Sequence, residues 1–177
     1  EIAEFRPLPG GAIQENWLLD ITVSDGDWAG EHELVLRRDA PSAVAASHGR
    51  AEEFAILKAA HEAGVTVPAP CLLGADPDIL GGPFFIMHRV GGEAAGHKLV
   101  RRPPNDGLAA ALGTELARIH SITPGEVSGE DTLSFLDPVR VSPALDAVGR
   151  YRHDLDGLGT PRPGLEWGLR WLERNAP

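Results

Sequence analysis

The hydrophobic pattern changes from strand-like to helical and back again along the first half of the chain. Residues 5–23 (FRPLPGGAIQENWLLDITV) carry a Pro-Gly-Gly turn, after which Leu19, Ile21 and Val23 alternate with Leu18, Asp20 and Thr22. This predicts a strand, a turn and a second strand. A polar, Gly-containing turn at 24–30 leads to a third strand at 33–38 (ELVLRR). From Glu53 to Ala63 the period becomes helical, with Phe54, Leu57 and Ala60 on one face and Gly64 as the C-terminal stop. Apolar runs at 71–74 and 84–90 predict two further strands, giving a sheet of about five strands, an average size. Gly91 and Gly92 then mark a hinge.

Beyond the hinge the pattern is helical. Residues 108–122 (LAAALGTELARIHSI) place Leu108, Leu112, Leu116 and Ile119 on one face, with Asn105 or Asp106 as cap. Residues 123–141 read as a long irregular loop. Ser142 followed by Pro143 predicts a capped short helix towards Tyr151. After a Gly- and Pro-rich break at 157–164, Leu165, Leu169 and Leu172, with Trp167 and Trp171, predict a final helix apolar enough to need a partner. Left uncovered, the face of Leu165, Trp167, Leu169 and Trp171 would offer a surface for dimerisation or aggregation. The class is α+β.

Composition narrows the function. The 177 residues are 42% hydrophobic and 24% charged, ordinary values for a globular chain. Cys71 is the single cysteine, so an intrachain disulfide and a thiolate metal cluster are both excluded. The net charge of −10 argues against binding a nucleic-acid backbone, which needs clustered Lys and Arg. No apolar run is long enough to span a bilayer and no signal-peptide pattern opens the chain, so no membrane role and a cytoplasmic location are expected. The start on Glu1 rather than Met points to a piece of a longer polypeptide. No Gly-x-Ser-x-Gly elbow, Cys-x-x-Cys pair or His-Glu-x-x-His helix occurs, which removes serine hydrolase, structural zinc and zincin readings.

The run RAEEFAILKAAHEAGVTVPAP at 50–70, followed by GGPFFIMHRVGGE at 81–93, resembles the small lobe of the aminoglycoside phosphotransferase and choline kinase family, small-molecule relatives of protein kinases. The resemblance covers nearly the whole chain. It implies a five-stranded antiparallel small lobe with one main helix over residues 1–92, followed by the first helices of an α-helical large lobe over 93–177. It also implies ATP, with Mg²⁺, and a small hydroxyl-bearing molecule as acceptor. On this likeness the Gly10-Gly11-Ala12 turn covers the nucleotide phosphates, because glycine lets backbone N–H groups approach phosphate oxygens. The same pair serves equally as a plain hairpin turn. Gln14 and Asn16 follow it, either lining it or facing solvent.

Arg37 stands where the family usually carries a lysine reaching the phosphates, a departure familiar in the branch resembling kinase-like domains fused to acyl-CoA dehydrogenases. A guanidinium holds phosphate through two parallel N–H bonds, where an ammonium acts as a point charge. Arg38 must point to the opposite face, so only one of the two faces the cleft. Glu53 matches the acid that orients that cation, in a Glu-aromatic-x-x-Leu pattern with Phe54 and Leu57. A plain first-turn acid is the other reading of Glu53, and Glu52 fills that role equally. Residues 84–89 resemble the strand leading to the adenine hinge, with Met87 behind the purine and the backbone of His88 and Val90 meeting it.

The family's His-Gly-Asp loop, its following Asn and its metal-binding Asp are missing from residues 1–177, so the catalytic Asp and the Mg²⁺ ligands are expected beyond Pro177. The parent protein is then expected to be a small-molecule kinase, with this chain alone inactive. The alternative is a non-catalytic kinase-like binding or regulatory module.

Overall fold

A computed structural model describes residues 1–8, 14–40, 48–93, 95–103, 105, 107–126, 133–136 and 142–176. By contacts the chain divides into two compact units, 1–136 and 137–177.

The first unit is built on one antiparallel sheet in the order β1-β2-β3-β5-β4, from β1 (Ile2–Leu8), β2 (Gln14–Val23), β3 (Gly30–Asp39), β4 (Pro70–Gly74) and β5 (Phe84–His88). The alternation read in the sequence is the two-residue period of these strands. Direct cross-strand partners share a face, so the register Arg37↔Phe85 and Val35↔Met87 puts these four side chains on one side of the sheet. Helix α1 (Arg50–Glu62) covers that side and packs on β4 and β5. Phe54 meets Phe85 with ring centroids 5.9 Å apart. The α+β architecture with a five-stranded antiparallel sheet is thus present as expected.

Helix α1 starts three residues earlier than its apolar period indicates. Gly49 takes the extended N-cap conformation, and its N–H donates to the Glu52 carboxylate at 3.1 Å, one half of a capping box. A glycine gives no side-chain cap signal, so the start was hidden. The 123–141 stretch, read as loop only, contributes Leu133 to the core: it is buried against Ala55 and Ala59 of α1, with Ile122, Phe135 and Leu136 around it. Two short helices, α2 (Pro77–Leu80) and α3 (Gly96–Leu99), precede α4 (Leu108–His120). The N-cap of α4 is Gly107 without a side-chain cap. Asn105 instead accepts from the Gly107 N–H at 3.0 Å, a local turn just before the helix.

Glu115 of α4 fastens the turn before β4. Its carboxylate accepts from the Thr66 N–H and the Thr66 hydroxyl, both at 2.8 Å. The Thr66 N–H first, then its hydroxyl and Arg118, hold the Glu115 carboxyl below its usual value. A depressed folded value means that this stabilisation is present above the ordinary carboxylate value of 4.5 and is lost as pH falls through the lowered folded one. Glu115→Gln is therefore expected to lower Tm at neutral pH, with the gap to the unaltered protein closing in acid. Thermal melts across pH test this; a gap of constant size at every pH would refute it.

The second unit is a helical hairpin of α5 (Pro143–Gly157) and α6 (Pro163–Asn175). Ser142 caps α5 as expected, accepting from the Leu145 N–H at 3.3 Å, but the helix runs past Tyr151 to Gly157. Tertiary contacts extend it: Val148 and Leu155 pack against Leu169, and Arg152 joins Glu166 at 2.6 Å and Glu173 at 2.8 Å. The exposed apolar face expected on α6 is consequently smaller. Leu169 is buried at 8% exposure, whereas Leu165, Trp167 and Trp171 stay exposed, Trp167 at 74%. Among the described residues no helix is long and apolar enough to cross a membrane.

Candidate functional site

β3 delivers two adjacent arginines to opposite faces of the sheet. Arg38 turns away from α1, where it donates to Glu15 at 2.8 Å and to the Leu80 carbonyl at 3.3 Å. Arg37 turns towards α1 and pairs with Glu53, Nη2 to Oε1, at 2.8 Å. The structure therefore brings together the cation and the acid singled out in the sequence. Both are three-quarters buried, at 23% and 29% side-chain exposure, so the pair is poorly screened by solvent.

Two amides of β2 complete the surroundings of Arg37. Its Nη1 donates to Asn16 Oδ1 at 3.4 Å and its Nη2 to Gln14 Oε1. Asn16 lies directly across from Arg37 in the β2–β3 register. Both are half-buried and turned to Arg37, while the turn that they were expected to line lies outside the described residues. Arg37 Nε is buried and has no hydrogen-bond partner among the described residues. A buried donor left unpaired costs free energy, and Arg50 Nε is in the same state.

Met87, across from Val35, stands further along the same face, and Val35 is buried there. The backbone of 88–90 is divided in its commitments. The His88 N–H donates to the Ala69 carbonyl at 2.9 Å and the Arg89 N–H to the Glu33 carbonyl at 3.0 Å. Among the described residues nothing accepts from the Val90 N–H. Arg89, overlooked in the sequence, anchors this segment through its side chain: Nη1 lies 3.1 Å from Asp20, and Nη2 pairs with Glu33. The Gly10-Gly11-Ala12 turn lies outside the described residues.

Arg50 was also overlooked, although it sits three residues before Glu53 at helical contact spacing. Its Nη1 pairs with Glu53 Oε2, its Nη2 donates to the His48 carbonyl at 3.1 Å, and its Nε lies 3.0 Å from Asp39 Oδ1 in an ion-pair contact without hydrogen-bond alignment. The only shifted thiol near the segment is that of Cys71, pushed up by burial, which makes it a poor nucleophile.

A five-stranded antiparallel sheet with a covering helix, and a strand cation paired to that helix's acid, match the small lobe of a kinase-like fold. The chain belongs to the phosphotransferase enzyme family (APH), whose sequence model matches residues 4–177. No curated protein matches it in sequence. The family implies phosphotransfer from ATP with metal assistance. Arg37, with 23% of its side chain exposed, has the charge and the donors to meet a phosphate oxygen. Among the described residues no group of three or more His, Cys, Asp or Glu side chains gathers to hold a metal ion.

Proposed function

We propose that this chain is the nucleotide-holding part of an ATP-dependent kinase that phosphorylates a small hydroxyl-bearing molecule in the cytoplasm. The observation that carries this reading is the Arg37–Glu53 pair between strand and helix. Glu53 fixes the guanidinium, and the guanidinium meets the phosphates through charge-assisted hydrogen bonds. Val35 and Met87 supply an apolar surface for the purine, and the Val90 N–H supplies a donor at its edge. Arg89, tied to Asp20 and Glu33, keeps that donor in register with the sheet.

Because the described residues offer neither a metal cluster nor the His-Gly-Asp loop, the chain's own part in the reaction is to bind and orient ATP. Arginine in place of lysine keeps hydroxyacyl acceptors among the substrate classes, beside aminoglycosides, choline-like and sugar-like alcohols. Calorimetric titration with ATP and ADP tests the reading. Saturable binding by both is expected within the roughly 1 μM to 1 mM range usual for enzyme substrates. Absence of binding by either nucleotide across that range would sink it.

A further inference from the structure

Arg50 places a second guanidinium on the acid that orients Arg37. Its side chain is only 1% exposed, although arginine is among the residues least often buried. The burial is matched by two acceptors, Glu53 Oε2 and the His48 carbonyl, with the Asp39 carboxylate as a charge partner 3.0 Å from Nε. Arg37 and Asp39 sit two residues apart on β3 and so share a face, while Arg50 and Glu53 sit one helical turn apart at the start of α1. The four side chains form an alternating chain, Asp39–Arg50–Glu53–Arg37, with two positive and two negative charges. It joins the end of the strand to the start of the helix.

We propose that Arg50 is a positioning residue for phosphate recognition, acting through Glu53. This inference rests on the nucleotide-lobe reading above. Glu53 divides its two oxygens, Oε1 to Arg37 and Oε2 to Arg50. With Oε2 engaged, Glu53 orients Arg37 through a single oxygen and cannot close a two-oxygen fork on it. Arg37 is then held by one carboxylate oxygen and by the Asn16 and Gln14 amides, single contacts that a phosphate can replace one at a time. When Arg37 turns to a phosphate, Glu53 and the first turn of α1 remain held to β3 through Arg50 and Asp39.

Without Arg50, both Glu53 oxygens are free to fork onto Arg37, a strong bidentate arrangement that phosphate must displace. The cluster also changes from neutral to a net charge of −1, by the loss of one of its two guanidiniums, and repels an anion. A residue that only stabilised the fold would lower Tm without separating one ligand from another. A residue acting through Arg37 weakens ligands that carry phosphate and spares those that do not.

The test is calorimetric binding of ATP, ADP and adenosine to the unaltered protein, Arg50→Met and Arg50→Lys, with a melting curve for each. Coupling within one salt-bridge network leads to about tenfold weaker ATP and ADP binding by Arg50→Met, with adenosine unchanged. Arg50→Lys restores the charge without the fork, and a loss of about threefold is expected on the same ground. If Arg50→Met fails to fold, Arg50→Lys carries the comparison. Equal ATP affinity in a folded Arg50 variant and the unaltered protein would overturn the role of Arg50, as would parallel losses for ATP and adenosine. Failure of the unaltered protein to bind ATP would instead overturn the nucleotide-lobe reading, so the two failures are distinct.

Discussion

Arg37→Ala is expected to weaken ATP binding by about 10- to 100-fold, the loss that follows from removing hydrogen bonds to a charged group, each about 1.5–3 kcal/mol. Phosphate carries the charge of the ligand, and Arg37 is the partly exposed guanidinium that Glu53 orients. The fold should tolerate the change. Taking one partner from a buried ion pair is ordinarily costly because the other charge is stranded. Here Glu53 keeps Arg50 on its second oxygen, so its charge stays compensated. Gln14 and Asn16 lose a donor, but both are only partly buried and can turn to water. A binding loss with a nearly unchanged melting temperature is therefore the signature, read by calorimetry and thermal melts on the same sample. Arg38→Ala is the internal control, since that side chain is on the far face of the sheet with Glu15. Unchanged ATP affinity in Arg37→Ala would remove the assignment of this face as the phosphate site.

What was legible in the sequence divides along a physical line. Alternation and helical period revealed the five strands, α1, α4 and α6, although α4 buries none of its residues. The opposite orientations of Arg37 and Arg38 followed from strand geometry alone, and the structure has Arg37 on α1 and Arg38 on Glu15. Contacts between distant segments leave no local pattern. Leu133 stands with Phe135 and Leu136 in a stretch without helical or strand period, and only the approach of α1 makes it core. α5 continues past Tyr151 because Leu155 and Arg152 find α6, a partner that its own periodicity does not announce.

The site divides in the same way. Arg37 and Glu53 could be paired beforehand by resemblance. Arg50 resembles an ordinary surface charge at a helix start, and only the position of Asp39 and Glu53 around it explains its burial. Its spacing of three residues from Glu53 was the one available signal.

Phe85→Ala is expected to give the largest loss of stability, about 3–5 kcal/mol, the range for deleting a buried aromatic side chain. Phe85 is 1% exposed, lies across the sheet from Arg37 and meets Phe54 of α1 at 5.9 Å. Its ring is the apolar bridge between sheet and helix, while the Arg37–Glu53 pair is the polar one. Removal forfeits the transfer energy of the ring, its tilted contact with Phe54 and the packing that sets the height of α1 above the sheet. For a chain of this size, about 2–4 °C per kcal/mol implies a fall in Tm on the order of 10 °C. Urea denaturation should show the midpoint shifted with little change in slope, since the surface exposed on unfolding is nearly the same. Phe85→Leu, which retains much of the apolar volume, should recover most of the loss. If Phe85→Ala melted within a degree or two of the unaltered protein, α1 would not depend on this ring for its seat. The Arg37–Glu53 geometry would then have to be maintained by the ion-pair chain through Arg50 alone.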